Sequence, residues 1–152
     1  MIGEKEKKII VELRKDSRQD ITKLAKKHDY PKSTMYDILH KLEDQGILVH
    51  TSKVDFEKLG FPIQIFMVIK TTSAHKELMK KFLMEKKNVN SIYTVNQGSN
   101  FHFESIFRNQ KEVEDFLEEL EEKNPLTQIN VFNVIEKVCT EKFLTEEEHF
   151  NY

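Results

Sequence analysis

The spacing of apolar residues along the chain changes character near residue 60. Before it, helical spacing dominates. Ile2, Ile9, Ile10 and Leu13 share one face of a first helix. Ile21, Leu24 and Ala25 mark a second, with Asp20 placed to cap it. Met35, Ile38, Leu39 and Leu42 follow an i, i+3, i+4, i+7 pattern on a third, and Gly46 stands where a C′ glycine ends a helix. The next stretch, "ILVHTSKVDF", reads as a short two-stranded ribbon.

After Gly60 the period becomes two. In "PIQIFMVIK", Ile63, Ile65, Met67 and Ile69 alternate with Gln64, Phe66, Val68 and Lys70. Ser73 opens a helix carrying Leu78, Phe82 and Leu83. Val89 to Val95 and Phe101 to Phe107 read as strands around the hairpin signal "NQGSN". Asn109 and Glu112 resemble a capping box, followed by Val113, Phe116, Leu117 and Leu120 at helical spacing, and Asn124–Pro125 stops that helix. Ile129 to Val138 is the last strand expected. The order β-α-β-β-α-β is that of a ferredoxin-like domain. The expected fold is α+β, a winged helix-turn-helix followed by a ferredoxin-like βαββαβ domain. The expected boundaries are 1–54 for the first domain, 55–61 for a linker, 62–140 for the second domain and 141–152 for an acidic tail.

Composition adds limits. The chain has 152 residues, 38% hydrophobic and 33% charged, lean in core material for two small domains, so burial in a homodimer or larger assembly is expected. Both faces of the strands Ile63–Lys70 and Ile129–Val138 carry apolar residues, which points the same way. The net charge is −2, but residues 1–60 hold 13 Lys/Arg against 11 Asp/Glu and the remainder is acidic. One cysteine, Cys139, excludes a disulfide framework, and the histidines lack metal-ligand spacing. No apolar run is long enough for a membrane span and the N-terminus is too polar for a signal peptide, so a cytoplasmic protein without membrane contact is expected. No cofactor, metal site or catalytic constellation is expected.

Three helices with a short turn between the second and third, then a ribbon, describe a helix-turn-helix whose third helix enters the DNA major groove. Its exposed arc supplies charge, hydroxyls and an aromatic tip: Lys32, Ser33, Thr34, Tyr36, Asp37, His40 and Lys41, with Lys53 of the ribbon within reach of the backbone. Asp37 is the member that would repel phosphate. Double-stranded DNA is the expected partner.

The domain order and the stretches "EKKIIVELRKDSRQDITKLAKKHDYPKSTMYDILHKLEDQGIL", "VDFEKLGFP" and "NSIYTVNQGSNFHFESIF" resemble the Lrp/AsnC (leucine-responsive, feast/famine) regulators over nearly the whole chain. The resemblance implies an operator-binding first domain. It also implies a second domain that senses small molecules and assembles into dimers and larger rings, an octamer among them. Two positions depart from the family pattern. Ile38 stands where the recognition helix usually carries arginine. The sensing domain usually has a Gly-x-x-Asp turn, and aligned on Gly98 its aspartate falls on Phe101, beside Asn100. Gln97, Gly98, Ser99, Asn100 and Phe101 are thus the candidate effector residues, and without an acidic group there an amino acid is not the expected effector.

Two other readings fit the same architecture. One is a decarboxylase of sirohaem-type tetrapyrroles, with His102 and Arg108 as candidate propionate partners. Arginine occurs only at 14, 18 and 108, too few for a tetrapyrrole's carboxylates. The other is an interaction partner of a related regulator with weak DNA affinity of its own.

Overall fold

The computed structural model describes residues 2–96 and 100–151. The chain divides into two compact units, Met1–Lys53 together with Val138–Tyr152, and Val54–Lys137.

The helical unit is built from α1 (Glu4–Lys15), α2 (Ile21–Lys27) and α3 (Lys32–Asp44). Asp20 caps α2 through its side chain, accepting from the Thr22 and Lys23 backbone N–H groups at 2.7 and 3.1 Å. The apolar stripes of the three helices meet in one core of Ile9, Ile10, Leu13, Leu24, Ala25, Met35, Ile38, Leu39 and Leu42. Two helix ends close by the same device. After α3, Gly46 (φ +65°) donates to the Glu43 carbonyl at 2.9 Å and Ile47 to the Leu42 carbonyl at 2.9 Å. After α2, Asp29 (φ 55°) donates to Lys26 and Tyr30 to Ala25. An aspartate fills this left-handed position at a steric cost that glycine avoids. Asp29→Gly is therefore expected to raise stability by about 0.5–1 kcal/mol, read as a higher denaturation midpoint at unchanged slope.

The ribbon expected from "ILVHTSKVDF" does not form, and no strand is found between residues 47 and 56. Ile47, Val49 and Val54 are exposed, so no apolar face holds two short strands together, and an isolated pair is marginal in water. The C-terminal residues instead return to the helical unit. Arg14 binds the Glu141 carboxylate at 2.7 Å and donates to the Phe143 carbonyl at 3.2 Å. Leu144 and Phe150 pack against the helical core.

The second unit is a four-stranded antiparallel sheet, order β2-β3-β1-β4, from β1 (Ile63–Thr71), β2 (Val89–Val95), β3 (Asn100–Phe107) and β4 (Leu126–Asn133). Helices α4 (Lys76–Glu85) and α5 (Gln110–Lys123) supply the rest of its core. Ile65, Met67, Ile69, Phe101 and Phe103 are fully buried there, and Phe116 meets Phe103 and Phe107 edge-on. The alternation read in β1 is thus a true inside–outside pattern.

Two elements differ from expectation. β4 begins at Leu126 and ends at Asn133, not at Ile129 and Val138. Its start faces Thr71 across a bulge, and its partner strand begins at Ile63, so pairing runs out once Val134 has donated to Gln64. The helix expected from Ser73 starts with a 3₁₀ turn (Ser73–His75) and buries Met79 and Leu83, while Leu78 faces outward.

Neither α4 nor α5 packs on the other sheet face. Along its middle, Tyr93, His102 and Val68 lie side by side, with His102 5.5 Å from Phe66 and 6.1 Å from Tyr93 between ring centroids. Phe132, opposite Phe66, is exposed.

Candidate nucleic-acid interface

The turn between α2 and α3 ends at Pro31, whose side chain offers no cap. The first α3 N–H bond into the chain before it is Met35 to the Pro31 carbonyl, so the N–H groups of Lys32, Ser33 and Thr34 point out of the helix start. That end is electropositive and suits an anion.

Met35, Ile38, Leu39 and Leu42 are buried, which turns the opposite side of α3 to solvent. Lys32, Tyr36 and His40, four residues apart, form one continuous stripe there. The Lys32 ammonium lies 5.8 Å from the Tyr36 ring centroid, and the Tyr36 and His40 rings are stacked at 6.5 Å. Ser33 and Asp37 are exposed beside the stripe, and Thr34 is half-buried. At its far end Glu43 accepts from His50 at 2.8 Å and lies 3.4 Å from His40. The His50 hydrogen bond, with help from His40, holds the Glu43 carboxyl below the usual carboxylate range.

Two expected members of the arc are engaged elsewhere. Lys41 reaches back to α1 and binds Glu6 at 2.8 Å, a hydrogen bond that lowers the Glu6 pKa. Lys53 donates to the Thr140 hydroxyl. Neither engagement is visible locally, because the partners are 35 and 87 residues away. Ile38, at the position where arginine was expected from the family pattern, is a core residue.

Of the candidate effector residues, Gln97, Gly98 and Ser99 lie outside the described residues. Asn100 opens β3 and is half-buried. Phe101 is fully buried on the helix-facing side of the sheet, so its ring serves the core and offers no surface to a ligand, a correction to the expectation. His102 lies among Phe66 and Tyr93, whereas the Arg108 guanidinium rests 4.9 Å from the Phe61 ring centroid. The pair proposed for a tetrapyrrole is therefore split between two aromatic neighbourhoods.

Charge frames the interface. Residues 1–53 carry 12 Lys/Arg against 9 Asp/Glu, and residues 138–152 add one Lys against four Glu. The helical unit with its tail is formally neutral.

No family model matches the chain. It is 27% identical over 139 residues to an uncharacterised HTH-type transcriptional regulator of Pyrococcus abyssi, covering 91% of this chain and 95% of that protein. It is 32% identical over 122 residues to the HTH-type transcriptional regulator LrpA of Bacillus subtilis, covering 79% of this chain and 90% of LrpA. Among solved structures, a Neisseria meningitidis transcriptional regulator in complex with L-Met superposes with a TM-score of 0.83 over 92% of this chain and 94% of that one, at 15% identity. The helix-turn-helix, the ferredoxin-like sheet and the LrpA match agree: the chain belongs to the Lrp/AsnC family of DNA-binding transcriptional regulators.

Proposed function

We propose that this regulator reads operator DNA with the exposed face of α3, through Lys32, Ser33, Thr34, Tyr36 and His40. The observation that carries the reading is the Lys32–Tyr36–His40 stripe beside an uncapped helix start. The N-terminal groups of α3 serve phosphate and base edges, and Tyr36 presents a ring to a thymine methyl or a hydroxyl to phosphate. Lys41 and Lys53 contribute charge at most, since their ammonium groups already have partners. The test is selection of bound genomic fragments followed by footprinting. A symmetric reader should protect two half-sites about 10 bp, or a multiple of it, apart.

Asp37 lies on the same face and carries the wrong charge for a phosphate neighbour. Asp37→Arg should tighten binding to non-specific duplex and steepen its salt dependence, with a slope larger by about 0.9 for each further phosphate neutralised. An unchanged slope would place Asp37 away from the duplex.

Assembly through the second unit belongs to the same reading. The sheet face away from α4 and α5, with Phe66, Val68, Tyr93 and Phe132, suits a second copy of the chain, and a ring as large as an octamer is the upper size proposed. Light scattering at micromolar concentration should give at least a dimer. No helix among the described residues is long and apolar enough to cross a membrane. A cytoplasmic location is part of the proposal. A solved neighbour is an L-Met complex, which makes a small-molecule effector part of it as well. One observation favours a second reading, a partner of a related regulator with weak DNA affinity. The helical unit has no net positive charge to hold non-specific duplex.

A further inference from the structure

The second unit contains a cavity of about 500 Å³ at the end of the sheet where β2 begins and β3 ends. That size falls within the roughly 300–1,000 Å³ of small-molecule sites. Its apolar walls are Phe56, Phe61, Val89 and Ile106. The two phenylalanines are set by one turn. Asp55 caps the 3₁₀ segment Glu57–Leu59, Gly60 takes φ +87°, and Phe61 donates to the Phe56 carbonyl at 2.9 Å. Glycine takes this left-handed conformation without the steric cost a side chain would meet.

The polar lining is Lys87, Asn88, Asn90, Arg108 and Glu112, and it carries net positive charge. Arg108 stands over Phe61, and Lys87 is exposed nearby. Among the described residues neither cation has a carboxylate within ion-pair distance. Glu112 also lines the cavity, but one of its oxygens accepts from the Arg108 backbone N–H at 2.9 Å, at the start of α5. Among the described residues the site thus offers a guanidinium without an ion-pair partner, a second cation and apolar walls, with one oxygen of its single carboxylate bonded to the backbone.

We propose that this cavity binds a small monocarboxylate with an apolar or aromatic body, its carboxylate on Arg108 and Lys87 and its body between Phe56 and Phe61. Arginine suits a carboxylate because its fork makes two parallel charge-assisted bonds. The ligand carries no ammonium, since the net charge of the lining is positive. The inference rests on the reading of the chain as an effector-linked regulator, and it places the effector away from Asn100 and Phe101.

Calorimetric titration of the full-length protein without DNA tests it. The probe is 3-phenylpropanoate, beside phenylalanine, which adds the ammonium, and 3-phenylpropanol, which lacks the carboxylate. Phenylpropanoate should bind, and both controls should bind about tenfold or more weakly, as expected for loss of a charged hydrogen bond or addition of a misplaced charge. Arg108→Gln, on the exposed surface, should weaken phenylpropanoate to a similar degree, and Lys87→Gln to a lesser one. Backbone amide shifts of Phe56, Phe61 and Val89 in the unmodified protein should move on titration, a readout independent of how the variants fold. The proposal is overturned if phenylpropanoate does not bind at about 10 mM, if phenylalanine binds as well, if Arg108→Gln has no effect, or if the cavity is filled by a second copy of the chain. The titration contains no DNA, so its failure leaves DNA reading by α3 untouched, and failure of DNA reading leaves the titration intact.

Discussion

Phe101→Ala is expected to cost about 3–5 kcal/mol, the range for truncating a fully buried phenylalanine. The ring is wholly enclosed in the core shared by the sheet, α4 and α5, and the strand it sits on is paired on both sides. Its removal leaves a cavity that the neighbouring Ile69 and Phe103 cannot collapse into without breaking register. With so small a second unit, that is a large part of its whole stability. Denaturant unfolding should show the second unit melting early while the helical transition moves little. A variant that folds as well as the parent but loses a ligand response would instead make Phe101 a pocket residue.

The C-terminal residues make a second, separable prediction. Leu144 and Phe150 are half-buried against the helical core, and Arg14 fixes the segment through Glu141, whose carboxyl that hydrogen bond and charge hold below the usual range. Replacing both apolar residues by alanine should destabilise the helical unit by about 2 kcal/mol, from loss of two partly buried side chains. The charge of the same segment acts differently. Glu146, Glu147 and Glu148 are exposed and make no ion pair among the described residues. Converting all three to glutamine leaves the packing intact but gives the unit a net positive charge. DNA binding should then tighten at low salt, with the difference fading as the Debye length shrinks. Equal affinity for parent and variant at low ionic strength would mean the tail's charge is not felt at the duplex.

Much of the fold was legible because its signals are local. The three helices, the Asp20 cap, the Gly46 terminus and the β-α-β-β-α-β order all follow from spacing and capping chemistry within a few residues. The misses share a cause. Whether "ILVHTSKVDF" pairs depends on something to bury its apolar side chains, and nothing in the stretch supplies it. The limits of β4 are set by where β1 begins, far earlier in the chain, and the phase of α4 by which side the sheet lies on. The candidate interface divides in the same way. Lys32, Tyr36 and His40 were readable as part of the exposed arc opposite the apolar stripe. The capture of Lys41 by Glu6 and the return of residues 138–152 to the helical unit are long-range events that no window of sequence contains.

If the Lys32–Tyr36 face of α3 touches DNA, the salt dependence of binding carries its signature. On a footprinted fragment, fluorescence anisotropy should be followed from low to moderate salt for the parent and for Lys32→Ala/Tyr36→Ala, both residues being exposed and outside the core. Losing the Lys32 phosphate contact should lower the slope of log K against log salt by about 0.9, and losing a Tyr36 base contact should cost about 1–3 kcal/mol on that fragment and nothing on random duplex. An affinity and slope identical to the parent's would leave α3 as a solvated helix, with the partner reading in place of DNA reading by this face.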